Sequence, residues 1–203
     1  MHDLDRALAQ IDAIRVQVAR GVEFRGYGPA AFAATGVLAL LAAVLQARWM
    51  GAPAANVGAY LALWIAIAAV SAGVIGFEMV GRSRRMHSGL ADEMIRAAVE
   101  QFLPAALAGG LITLVLVRYA PQSLPMLPGL WQIVFSLGVF ASCRFLPRAM
   151  LIVGVWYLGA GLFCLAFASG ARAYAPWTMG GPFGLGQLLV AAVLRLSDRG
   201  GDE

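Results

Sequence analysis

The sequence has no lysine, two cysteines, two histidines and only 13% charged residues. Each scarcity closes off a class of protein. Soluble domains carry about 25% charged residues around a single core. With half that charge and 61% hydrophobic residues, the apolar surface exceeds what one core can bury, and the excess must face lipid. Cys143 and Cys164 both lie inside apolar runs. They are too few for a disulfide framework and have no CxxC spacing, so they read as small buried hydrophobes. His2 and His87 stand far apart, and a metal or haem centre needs more ligands at matched spacing. No cofactor is expected. Neither HExxH, GxSxG, a phosphate-binding loop nor a dinucleotide fingerprint occurs, so an enzyme is not expected either. The net charge of +4 is not gathered into a basic patch interleaved with stacking aromatics, which argues against a nucleic-acid partner.

What the chain does have is apolar runs. A span takes about 20 mostly apolar residues, and six stretches meet that length: about 29–47, 57–80, 99–119, 129–145, 149–169 and 177–196. The expected fold class is all-α: a polytopic integral membrane protein in one membrane domain, a bundle of six transmembrane helices arranged as three antiparallel hairpins. Pro29, Pro128 and Pro147 suit first helical turns, whereas Pro104 lies deeper and is expected to kink its helix. The similar openings Phe102-Leu-Pro-Ala-Ala and Phe145-Leu-Pro-Arg-Ala hint at a repeated hairpin. Gly180, Gly181, Pro182, Gly184 and Gly186 weaken the sixth segment and leave a re-entrant form as the lesser alternative.

Residues 3–20 precede the first span. Leu4, Ala7, Leu8, Ile11, Ile14 and Val18 recur at helical spacing and make one apolar stripe, with Asp5, Arg6, Asp12, Arg15 and Arg20 off it. This reads as an amphipathic helix on the membrane surface or against a protein, not as a signal peptide. With the N-terminus inside, twelve arginines fall on the inner side, and Arg48, Arg118 and Arg172 make three outside. This split follows the positive-inside rule and puts both termini in the cytoplasm. All-arginine usage suits a high-GC genome, so the expected location is a bacterial inner membrane. Trp49, Tyr60, Trp64, Tyr119, Trp131, Tyr174 and Trp177 are expected to form an interfacial belt at the outer ends of the spans.

The chemistry-bearing stretch is Glu78 to Pro104. Glu78 closes the second span and Glu100 opens the third. Each has an arginine four residues away on the charged side, Arg82 and Arg96, at the spacing of a helical ion pair. Two roles are open: structural pairing at headgroup level, or a proton or cation site if the two glutamates meet across adjacent helices. Arg82, Arg84 and Arg85 form a basic cluster that anionic lipid or an acidic partner could engage. Met86, Leu90 and Met94 make a short apolar stripe beside it, and Ser88 is placed to cap the helix that follows. Small residues four apart, Gly180 with Gly184 and Ala106 with Gly110, permit close helix approach. Intramolecular packing is the favoured reading and a homodimer face the other. The function expected is a non-enzymatic regulatory or scaffold protein whose cytoplasmic face docks a partner. The alternative is a small transporter or channel using Glu78 and Glu100.

Overall fold

The computed structural model describes residues 28–85, 90–143 and 146–200, with side chains placed for 28–81, 99–143 and 146–197. The amphipathic stretch 3–20 lies outside the described residues. The described chain is all-α, with six helices each long and apolar enough to cross a membrane. The α-helices are α1 (Pro29–Trp49), α2 (Val57–Arg85), α3 (Leu90–Tyr119), α4 (Leu127–Ser142), α5 (Met150–Phe167) and α6 (Pro176–Gly200), and the fourth span, Pro121–Ser142, is α4 together with the 3-10 helix that runs into it. One end of the bundle, the arginine-rich end, carries the start of α1 and the end of α6. At the other, aromatic end, three short 3-10 helices join the spans: Pro53–Ala55, Pro121–Met126 and Gly170–Tyr174.

Prolines explain several boundaries. Pro29 and Pro128 stand in the first turns of α1 and α4, where a missing N–H costs nothing. Pro147 does not start a helix. Its carbonyl accepts from Met150 N at 2.8 Å in a turn before α5, so the fifth span opens three residues later than proline placement suggests. The fourth helix begins at Leu127 and closes at Ser142, earlier at both ends than the hydrophobic run implies. The proline-rich stretch ahead of it is itself a 3-10 helix that runs directly into α4. The glycine-rich sixth segment is one continuous helix of 25 residues with Pro182 inside it.

The most extensive packing is not within hairpins. It joins α1 to α6 and α4 to α5, with α3 laid on α4, α2 on α1, and α5 on α6; α2 and α3 touch each other little. Going round the bundle the order is therefore α2, α1, α6, α5, α4, α3. Small residues set the closest approaches, as expected where lipid leaves van der Waals packing to drive helix association. A methyl on Gly180 would overlap that of Ala43, one on Gly184 would enter the Leu40 side chain, and one on Gly36 would come within 2.9 Å of the Gly184 carbonyl oxygen. The Gly180/Gly184 pair thus seats α6 on α1. Gly129 and Gly161 bring α4 and α5 together in the same way, each facing the other's backbone carbonyl. The Ala106/Gly110 pair on α3 is exposed, and Gly110 faces open space.

Candidate functional site

At the aromatic end the polar groups of the core are tied together. Gln46 of α1 is buried. Its Nε2 donates to the Tyr174 carbonyl at 2.7 Å, and its Oε1 accepts from Trp64 Nε1 at 2.8 Å. One amide therefore links α1, α2 and the turn between α5 and α6. The Tyr60 ring meets Tyr174 edge-on at 5.1 Å. Tyr60, Trp64 and Tyr174 are 0%, 3% and 4% exposed, which corrects their assignment to the interfacial belt. The sequence places these rings at the right depth, but depth does not say whether a ring faces lipid or core. Trp49, Tyr119 and Trp177 are exposed at the same end, as such a belt requires. Trp131 is half-buried, donating to Thr113 Oγ1 at 2.8 Å.

A further buried amide answers a defect made by the chain itself. Pro182 has no N–H, so the carbonyl of Thr178, four residues earlier, loses its helical donor. Gln132 Nε2, from α4, supplies one at 2.9 Å. Cys164 Sγ lies 3.6 Å from the same nitrogen. Such repair from a neighbouring helix is what lets proline stand inside a membrane helix.

Further along, Phe135 of α4, Tyr157 of α5 and Phe183 of α6 meet with ring centroids 4.6 to 5.4 Å apart, and Phe102 of α3 lies 5.2 Å from Phe135. Gly186 leaves the space that the Tyr157 phenol fills. Thr35 and Ser136 donate to backbone carbonyls three residues back, at 2.9 and 2.6 Å. Among the described residues the Tyr60 and Tyr157 hydroxyls and Gln187 Oε1 are buried polar atoms without a hydrogen-bond partner.

At the arginine-rich end, Glu78 is half-buried and its carboxylate sits on the first turn of α1. Oε2 accepts from Ala31 N at 2.9 Å. Gly28, buried just ahead of that turn, has its Cα against the same carboxylate, so that a methyl there would overlap it. The first N–H groups of a helix lack intrahelical acceptors, and the helix dipole makes that end favourable for an anion. Gly28 has no side chain to cap α1; Glu78 does so from 47 residues away. Glu100 is exposed near the start of the membrane-spanning part of α3. Descent offers no guide to this arrangement: no family model, curated protein or solved structure matches the chain.

The other expected site residues are placed only in part. Arg82, Arg84 and Arg85 lie in the last helical turn of α2, and Leu90, Met94 and Arg96 in the first turns of α3, but their side chains lie outside the described residues, as do Met86, His87 and Ser88 altogether. Among the described residues no three of His, Cys, Asp and Glu gather as a metal site would need. The residues that sequence reasoning passed over are Gln46 and Gln132. A lone glutamine in an apolar run is the available signal, since a buried amide in a membrane must find partners.

Proposed function

We propose that the protein is a non-enzymatic regulatory or scaffold protein of a bacterial inner membrane. Its arginine-rich end faces the cytoplasm, and the cluster Arg82, Arg84 and Arg85 docks an acidic segment of a partner. The observation that supports this reading over transport is the filled centre of the bundle. Rings from four helices occupy it, and the buried glutamines Gln46 and Gln132 are engaged by backbone carbonyls and an indole. The charges at the arginine-rich end are the groups the reading assigns to recognition. An acidic partner complements them, and basic residues directly at a leaflet also hold anionic lipid, worth about 1 kcal/mol each.

The test is affinity purification in mild detergent of the wild type and of the triple variant Arg82→Ala, Arg84→Ala, Arg85→Ala. A stoichiometric, acidic partner that is lost in the variant, and that dissociates as salt rises, is the expected result. Normal insertion of both forms with nothing specific bound to either would remove the docking reading. Liposome flux assays on Glu78→Gln and Glu100→Gln then address the transport alternative.

A further inference from the structure

The second span is held near its two ends and little between them. Towards the aromatic end it is fixed by Tyr60, Leu61 and Trp64, all buried, with the Trp64 indole bonded to Gln46. From Ile65 to Phe77 none of its residues is buried. Burial resumes only at Met79, beside Glu78. Among its residues with described side chains, the helix is therefore attached at two places separated by roughly three and a half turns of exposed or half-buried surface. One attachment is aromatic and amide, the other is a carboxylate on the first turn of α1.

We propose that Glu78 is a clasp: its carboxylate, seated on the first turn of α1, fixes the spacing between the arginine-rich ends of α1 and α2, and its displacement lets α2 swing about the Tyr60–Trp64 attachment. Three features converge on this. The contact joins the start of one span to the end of the next, so it sets their separation directly. Gly28 provides the space the carboxylate occupies, and any side chain there would compete for it. The middle of α2 has little burial of its own to hold it against α1. The clasp stands or falls independently of whether the arginine cluster binds a partner, because it concerns only how two helices sit.

The experiment measures distances between spin labels in a background with Cys143 and Cys164 replaced, in lipid nanodiscs. One label pair replaces Ala30 and Val80, both exposed and flanking the clasp; the other replaces Ala47 and Gly58, exposed at the aromatic end. Each pair is read in the parent, in Glu78→Ala, in Gly28→Ala, where the new methyl evicts the carboxylate while Glu78 remains, and in the double variant. The expected result is a longer and broader distribution for the Ala30–Val80 pair in all three variants, the double no worse than either single, with the Ala47–Gly58 pair unchanged. An unchanged Ala30–Val80 distance in both single variants overturns the proposal. Equal broadening at both ends also overturns it, since that is general loosening. Should Glu78→Ala fail to insert, Gly28→Ala and Glu78→Gln carry the comparison, and a parent-like distance in both overturns the proposal equally.

Discussion

Gln132 does for α6 what the α6 sequence cannot do for itself. Pro182 leaves the Thr178 carbonyl without its helical donor, and the amide nitrogen of Gln132 takes that place. Gln132→Leu is expected to lower stability by about 1 kcal/mol, the cost of leaving a half-buried carbonyl with only the weak thiol donor of Cys164, 3.8 Å away. In a Pro182→Ala background, where the substitution restores the backbone N–H, the same change at Gln132 should cost much less. Unfolding in detergent, followed by size-exclusion chromatography of heated samples, measures all four corners of that cycle. An equal cost in both backgrounds would show that Gln132 acts elsewhere. This pairing was not legible in the sequence although both residues stand in apolar runs. Pro182 announces a missing donor, but which helix brings an amide to it depends on the packing order round the bundle. The same holds for Glu78. Its carboxylate accepts from Ala31 N of α1, a contact set by how α2 lies on α1.

Helices and their faces were readable to different degrees. Hydrophobic length located all six spans, because crossing lipid demands a minimum run of apolar residues. Helix ends were less secure where proline sat in a turn, as at Pro147, or in a 3-10 helix, as at Pro121 and Pro125. Which small residues make contacts was not readable at all. Gly180/Gly184 and Ala106/Gly110 share one spacing, yet the first pair seats α6 on α1 and the other faces outward. That difference yields a prediction. Gly180→Ala forces a methyl against that of Ala43 and should cost about 1–3 kcal/mol through overpacking, with partial relief from Ala43→Gly. Gly110→Ala meets nothing within 4 Å and should be neutral or stabilising by up to about 1 kcal/mol through helix propensity. The same heat-challenge assay separates the two. Equal losses would mean that the α3 face is covered by something, and crosslinking at Gly110 would then ask whether it is another copy of the chain.

For the whole molecule the governing question is which end faces the cytoplasm, because the docking reading needs the arginines inside. The aromatic belt does not decide this, since tryptophan and tyrosine favour both interfaces. The arginine distribution expected from the sequence order of the spans does bear on it: twelve residues on one side and Arg48, Arg118 and Arg172 on the other. The rule acts during insertion, on short loops close to the spans. Here the connections at the aromatic end are short 3-10 helices, so no large domain on that side overrides it. The expectation is tested by single cysteines in a background with Cys143 and Cys164 replaced. Gln122 and Ser169 are exposed at the aromatic end, and Arg148 is exposed at the arginine-rich end. In intact spheroplasts a membrane-impermeant maleimide should label Gln122→Cys and Ser169→Cys and leave Arg148→Cys untouched until the membrane is opened. The reverse pattern would put Arg82, Arg84 and Arg85 outside. Residues that recognise an acidic cytosolic segment would then have no access to one, and the proposed function would fail together with the orientation, while the Glu78 clasp, which depends only on how α1 and α2 meet, would stand.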